Sequence, residues 1–142
     1  MTTNTGSARY EGLGKDGKGH VSTGSGALSD QPYGFATRFE DEPGTNPEEL
    51  IGAAHGSCFT MALSFALAKA GFEDGTIETE AKVKLEKDGD GFKVTRSDLV
   101  TKASVPGLDE AVFHRIANEA KTGCPISKLL TAEITLEATL EG

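Results

Sequence analysis

Two cysteines, Cys58 and Cys124, are the most chemically reactive side chains in this sequence. They lie 66 positions apart, in different predicted helices. Cys58 falls in the middle of a long apolar segment, where a free cysteine usually packs as a small hydrophobic residue. Cys124 directly precedes Pro125, at a position typical of a helix N-cap. There, unpaired backbone N–H groups and the helix dipole would lower the pKa of a thiol.

The two thiols together could reduce a peroxide. A thiolate attacks one peroxide oxygen, becomes a sulfenic acid and releases an alcohol or water, and a second thiol then condenses with the sulfenic acid. Such a thiolate needs a neighbouring cation, and arginine suits this role because it stays charged and presents a fork of N–H donors. Arg38 is the candidate, since it is the one charged residue on its face of a predicted strand. Of the two acids at the next helix start, Glu49 fits the cap, and Glu48 is free to hold the arginine.

The spacing of Glu48 and Cys58 bears on oligomeric state. They stand ten residues apart in one predicted helix, which separates them by roughly 15 Å at about 1.5 Å per residue. One glutamate side chain cannot close that gap. If both residues serve one site, Glu48 must come from a second copy whose helix runs antiparallel to the first. Small residues at 52–57 would allow such close packing. The spacing therefore predicts a homodimer with shared sites.

Three other interpretations of Cys58 remain open at this point. His55 is three residues away on the same helix face, so the two could form half of a metal site or the Cys–His pair of a hydrolase. No Asp or Asn stands out to orient the imidazole, and no further Cys or His has metal-ligand spacing. The sequence therefore predicts no metal or other cofactor and a packed or hydrogen-bonded His55. A non-catalytic dimer that holds an apolar ligand in its interface cleft would leave the Cys58 pKa at about 8.5.

Composition limits the class of protein. The chain has 142 residues, of which 37% are hydrophobic and 25% charged, proportions typical of one folded domain covering 1–142. Its net charge of −8 disfavours nucleic-acid binding, which depends on clustered Lys and Arg. The N-terminus lacks the pattern of a secretory signal, and the apolar stretch at 51–70 is too polar to predict a membrane span. We expect a soluble, cytoplasmic protein with no nucleic-acid or membrane partner.

The elements that must position these residues follow an α+β order. Short strands and Gly-rich turns are predicted in 1–45, and the clearest strand is 33–39, which carries Arg38. A long helix follows, with Asn46 as N-cap and an end near Ala70. Apolar or small residues on nearly every face predict that this helix is buried on all sides.

The second half of the chain alternates between strands and helices. Strict alternation at 76–86, followed by a turn and a return strand at 92–105, predicts a hairpin. A change of phase within the return strand predicts a bulge near 96–98. A helix is predicted at 109–122, and a last strand at 132–140.

Three segments resemble a known family: QPYGFATRFE at 31–40, GTNPEELIGAAHGSCFTMAL at 44–63 and GCPISKLL at 123–130. With them, nearly the whole chain is similar to the OsmC family of bacterial thiol-dependent peroxidases, which also includes the organic hydroperoxide resistance proteins. The resemblance is to the OsmC branch, because the arginine of the other branch comes from an earlier segment than TRFE. It implies an OsmC-like α+β fold, an intertwined dimer with antiparallel sheets packed around a long central helix.

The resemblance also implies a role for each candidate residue. Cys58 matches the peroxidatic cysteine, and Cys124 matches the resolving cysteine. Arg38 matches the arginine that activates the thiolate, and Glu48 matches the carboxylate that holds this arginine.

We therefore expect a hydroperoxide reductase that works through a Cys58 sulfenic acid and a Cys58–Cys124 disulfide, as part of an oxidative or osmotic stress response. An external dithiol, either a small molecule or a lipoyl- or thioredoxin-type protein, would restore both thiols. Apolar walls expected around the site, including Phe59 and Met61, favour organic hydroperoxides over hydrogen peroxide.

Overall fold

Six strands and four α-helices form the part of the chain that the computed structural model describes, residues 2–142. The strands and helices follow the predicted order, which confirms the α+β class. The chain divides into an N-terminal unit that ends at Leu50 and a C-terminal unit, Ile51–Gly142.

A small antiparallel sheet organises the N-terminal unit. Its strands are β1, Gly6–Glu11, β2, Lys18–Thr23, and β3, Gln31–Tyr33, in the order β1-β2-β3. A 3₁₀ turn at Gly14–Asp16 lies between the first two strands. The last strand leads directly into a short helix, α1, Phe35–Phe39.

Helix α1 replaces most of the strand that the sequence predicted at 33–39. The Thr37 hydroxyl accepts a hydrogen bond from the Gly34 N–H at 2.8 Å and returns one to the Gly34 carbonyl at 3.1 Å. The backbone N–H of Arg38 also bonds to that carbonyl, at 3.1 Å. These local bonds close a helical turn and override the alternating pattern of aromatic residues. Arg38 therefore lies on a helix and not on a strand.

The long helix α2, Pro47–Lys69, begins and ends as predicted. The Asn46 side chain accepts a hydrogen bond from the Glu49 N–H at 2.8 Å, which is the bond of an N-cap. Beyond the last turn, Gly71 has a φ of +102°, a conformation that ends helices and favours glycine. The Glu49 carboxylate accepts from the Thr45 hydroxyl at 2.7 Å, so Glu49 is occupied at the helix start.

The C-terminal unit adds a second sheet and two helices to most of α2. These elements are β4, Thr76–Asp88, β5, Gly91–Ser104, α3, Glu110–Gly123, α4, Pro125–Leu129, and β6, Glu133–Glu141. The first two strands form the predicted antiparallel hairpin, but β6 pairs parallel to β5. The sheet is therefore mixed and not wholly antiparallel. The two helices between β5 and β6 form the crossover that a parallel pair requires.

Register in this sheet sets which residues face the core. Pairing shifts between Lys84 and Leu85, whose partners are Arg96 and Val94, so Thr95 is the extra residue of a bulge. The bulge lies one residue before the predicted region. Beyond it, alternate side chains of β5 are buried, as predicted; they are Ser97, Leu99, Thr101 and Ala103.

Only one side of α2 is buried. Phe59, Leu63 and Leu67 pack in the core with residues of β5 and α3. On the opposite side, Met61 is 61% exposed and Phe65 is 69% exposed. The prediction that every face is buried is therefore wrong for a single chain. We call the uncovered, uncharged stripe the exposed α2 face; its residues are Ala54, Ser57, Met61, Phe65 and Ala68.

By its length and its mean hydropathy of 1.5, α2 is the one helix of the described chain that passes the criteria for a membrane span. Core helices of soluble proteins pass the same criteria.

Candidate active site

Cys58 and Cys124 meet in the C-terminal unit, where their sulfur atoms are 2.8 Å apart. Cys58 lies midway along α2 and is half-buried, whereas Cys124 precedes α4 at its N-cap position and is fully buried. Both are free thiols. Packing of α2 with α3 and α4 in one core thus joins two residues that are 66 positions apart in sequence. The sulfurs are close enough for a hydrogen bond and for direct reaction.

The surroundings of Cys124 favour its thiolate. Burial alone would raise the pKa of Cys124, but hydrogen bonds outweigh this effect and lower the pKa. The donors are the Cys58 thiol, the backbone N–H and hydroxyl of Ser127, and the backbone N–H of Ile126. The two backbone groups belong to the first turn of α4, so the expectation drawn from the Cys124-Pro125 sequence is met.

The surroundings of Cys58 favour its neutral thiol. Burial raises the pKa of Cys58, the hydrogen bond to Cys124 raises it further, and the Ile126 backbone N–H opposes both only in part. An enzyme that attacks with Cys58 requires the opposite shift. Within the C-terminal unit the negative charge is therefore stabilised at Cys124 and not at Cys58.

His55 lies one helical turn before Cys58 and is completely buried. Its Nδ1 is 2.6 Å from the Ser97 hydroxyl, and its Nε2 is 2.8 Å from the Ser127 hydroxyl. Burial lowers the pKa of His55, so the imidazole is neutral near pH 7. These bonds confirm the hydrogen-bonded role predicted for His55. Residues 2–142 contain no group of three or more His, Cys, Asp or Glu side chains arranged to hold a metal ion.

Arg38 and Glu48 form an ion pair within the N-terminal unit. The arginine Nε lies 2.9 Å from one carboxylate oxygen and 3.2 Å from the other, and a terminal guanidinium nitrogen also donates to the carboxylate. Glu48 is 11% exposed and Arg38 is 34% exposed. The guanidinium carbon lies 5.5 Å from the centre of the Phe39 ring. A carboxylate and an aromatic ring thus hold the guanidinium while leaving part of it accessible.

An apolar cleft of about 310 Å³ opens beside Arg38 in the N-terminal unit. Aromatic side chains from the first sheet and α1 supply much of its lining, namely Tyr10, Tyr33, Phe35 and Phe39. The walls expected from Phe59 and Met61 are not found here, because the first is buried in the core and the second belongs to the exposed α2 face. Sequence reasoning assigned the aromatic residues of 33–39 to a strand face and so missed the cleft.

The four predicted site residues thus form two pairs, one in each unit. Sequence reasoning also missed Ser97 and Ser127, the hydrogen-bond partners of His55. A signal for Ser127 was available, because it lies three residues after Cys124, in the first turn of a helix where side chains reach the cap position.

The known proteins that this chain resembles include OsmC-like and organic hydroperoxide resistance proteins. A family model described as OsmC-like protein matches residues 39–139. Peroxiredoxin OsmC of Escherichia coli (strain K12) is 55% identical over 136 residues, which cover 96% of this chain and 95% of that protein. The organic hydroperoxide resistance protein OhrB of Bacillus subtilis (strain 168) is 27% identical over 124 residues, covering 87% and 89% of the two chains.

Solved structures give the same fold. The crystal structure of Bacillus subtilis OhrB superposes with a TM-score of 0.70 at 28% identity and covers 99% of this chain and 98% of that one. An OsmC-like protein of unknown function from Vibrio cholerae shares the fold alone, with a TM-score of 0.74 at 17% identity and coverage of 97% and 99%.

Proposed function

The chain belongs to the OsmC-like protein family, and from this premise we propose that it reduces organic hydroperoxides with Cys58 and Cys124. The resemblance drawn from the three sequence segments is confirmed. Relatives named as a peroxiredoxin and as organic hydroperoxide resistance proteins make this chain a peroxidase of the peroxiredoxin type. This finding decides against the alternative of a non-catalytic binding protein.

The single observation that carries the proposed chemistry is the 2.8 Å separation of the two sulfur atoms. The Cys58 thiolate attacks the terminal oxygen of the hydroperoxide, the O–O bond breaks, and the departing alkoxide takes a proton to become an alcohol. Cys58 is then a sulfenic acid, oxidised by two electrons. The Cys124 thiolate attacks the Cys58 sulfur, the S–O bond breaks, and hydroxide is protonated to water. An external dithiol reduces the resulting disulfide.

Activation of Cys58 is assigned to Arg38 of a second copy. Burial raises the Cys58 pKa within its own unit, and a neighbouring guanidinium is the kind of group that would lower it. The continuous helix α2 separates Glu48 from Cys58 by ten residues, which is roughly 15 Å along the axis. Because Glu48 holds Arg38, we assign each site to the cysteines of one chain and the Arg38–Glu48 pair of its partner.

The exposed α2 face supports the homodimer that this arrangement needs. Its residues recur every three or four positions and carry no charge, from Ala54 through Ser57, Met61 and Phe65 to Ala68. Such a stripe is typical of a helix that packs against another helix. An antiparallel pair of α2 helices that crosses near Ala53 and Ala54 would place Glu48 of one copy near Cys58 of the other. It would cover the part of the face at Ala54 and Ser57, and other elements of the partner would cover Met61 and Phe65.

The cleft beside Arg38 supports a preference for organic hydroperoxides over hydrogen peroxide. Its aromatic lining would bind the apolar part of a hydroperoxide, while the exposed part of the guanidinium could polarise the peroxide group. Hydrogen peroxide has no apolar part and would gain nothing from the cleft.

A cycle that needs reduced thiols fits the cytoplasm and an oxidative or osmotic stress response.

Thiol counting under anaerobic conditions tests the proposal. One equivalent of cumene hydroperoxide per chain is expected to remove both free thiols of the reduced protein, and Cys58→Ser is expected to prevent this. Cys124→Ser is expected to lose one thiol and to form a sulfenic acid that dimedone traps. Unchanged thiols in the wild-type protein, or normal turnover by Cys58→Ser, would rule out the proposed chemistry.

A further inference from the structure

Two links join α2 to α4, one above the other. The first is the contact between the Cys58 and Cys124 sulfurs at 2.8 Å. The second is the hydrogen bond between His55 and Ser127 at 2.8 Å. On each helix the two linking residues are three positions apart, so they lie on one face about a turn apart. Oxidation and reduction change the first link in every cycle, whereas the second takes no part in the chemistry described so far.

The imidazole of His55 lies between two hydroxyls that come from different elements. A neutral imidazole has one N–H, so it donates to one hydroxyl and accepts from the other. Ser97 is on β5, and Ser127 is in the first turn of α4, three residues after Cys124. His55 therefore ties the start of α4 to α2 and to the second sheet.

Such a tether fits a specific task in the reaction. The sulfur that must attack the sulfenic acid belongs to Cys124, three residues before Ser127. Ser97, His55 and Ser127 are each at most 7% exposed, on β5, α2 and α4 respectively. The first turn of α4, and Cys124 with it, therefore has little freedom to move away from Cys58.

Resting on the proposed peroxidase function, we propose that His55 is a positioning residue for disulfide formation: through the Ser127 hydroxyl it holds the Cys124 sulfur ready to attack Cys58. In that step the Cys124 thiolate forms the S–S bond, the S–O bond of the Cys58 sulfenic acid breaks, and the proton shed by Cys124 balances the hydroxide as water. His55 neither gains nor loses a proton overall. It has no part in the earlier attack on the peroxide.

Rapid mixing separates the two steps and so tests the proposal. Reduced protein is mixed with one equivalent of cumene hydroperoxide and quenched at intervals, and mass spectrometry follows the dimedone-trapped sulfenic acid and the disulfide. Ser127→Ala removes the hydroxyl but keeps the backbone N–H groups of α4, and His55→Asn removes the imidazole. Ser29→Ala, at an exposed position of the N-terminal unit, is the matched control.

We expect Ser127→Ala and His55→Asn to slow disulfide formation about tenfold, the effect of losing the buried hydrogen bond between His55 and Ser127. Sulfenic acid formation should stay within about twofold of the control, and Ser127→Thr, which keeps a hydroxyl, should restore the disulfide rate. Equal slowing of both steps would mean a general structural role and would overturn the inference. So would wild-type disulfide rates in Ser127→Ala, the milder of the two variants.

The wild-type trace keeps this inference distinct from the proposed function. A wild-type protein that retains both thiols overturns the peroxidase mechanism and the role of His55 with it. A wild-type protein that forms the disulfide, together with variants that form it equally fast, overturns the role of His55 alone.

Discussion

Mixing two inactive variants would test the shared site directly. Arg38→Ala lacks the guanidinium, and Cys58→Ser lacks the attacking thiol, so each pure homodimer lacks one required group in both of its sites. In a mixed dimer with shared sites, the intact Cys58 of one chain meets the intact Arg38 of the other. One of its two sites is then complete, and the other lacks both groups.

The expected activity follows from counting. Under the proposed assignment one chain cannot complete its own site, because Glu48 and Cys58 are roughly 15 Å apart along α2. Random exchange of equal amounts makes about half of the dimers mixed, each with one working site of two, so about one quarter of wild-type activity returns. If each chain held its own complete site, no site in the mixture would work.

The assay is cumene hydroperoxide consumption with excess dithiothreitol, before and after subunit exchange of the two variants. A reverse control mixes the wild type with the double variant Arg38→Ala/Cys58→Ser. Shared sites leave about one quarter of full activity in this second mixture, whereas separate sites leave about one half. An inactive first mixture together with half activity in the second would refute the reasoning from helix spacing.

Three further perturbations have expected outcomes. Phe65→Glu places a charge on the exposed α2 face and should give folded, inactive monomers by light scattering; a stable, active dimer would show that this face is not the interface. Glu48→Gln should lower kcat/KM about ten- to a hundredfold, because the side chain that holds Arg38 loses its negative charge. The free energy of unfolding should change by less than about 1 kcal/mol, because the ion pair is partly exposed. A large loss of stability with normal kinetics would contradict this. The folded-state pKa of His55 is lowered, so the unfolded chain binds more protons as pH falls below about 6.5, and the free energy of unfolding should decrease there by up to about 1.4 kcal/mol per pH unit. Urea titrations should show this slope in the wild type and in His114→Gln but not in His55→Asn, and a slope that survives in His55→Asn would assign it to other groups.

Local signals made much of the fold predictable. The ends of α2 were predictable from Asn46, Pro47 and Gly71, because each residue shapes the backbone within three positions of itself. Asp109 does the same for the start of α3. Alternation in β4 and β5 gave the hairpin, since a two-sided sheet exposes every second residue. The 33–39 segment misled the prediction because the Thr37 hydroxyl, a single polar group, outweighs an alternating pattern only seven residues long.

Longer-range features of the site could not be read from the residues alone. The direction of β6 relative to β5 depends on how α3 and α4 return the chain, which no local pattern encodes. Family resemblance paired Cys58 with Cys124, but the hydroxyls on either side of His55 come from residues 42 and 72 positions away. The balance of charge between the two thiols depends on the backbone N–H groups of α4, which appear only once the helices are packed.

In the proposed cycle, the amides at the start of α4 also bear on how the Cys58–Cys124 disulfide is reduced. In the disulfide form an incoming reductant can attack either sulfur, and Cys124 is fully buried while Cys58 keeps partial access. Attack at Cys58 expels Cys124 as the leaving group, and a leaving thiolate of low pKa departs faster. The groups that lower the Cys124 pKa therefore serve both halves of the proposed cycle: they favour the Cys124 thiolate that closes the disulfide, and they ease its expulsion when the disulfide is opened.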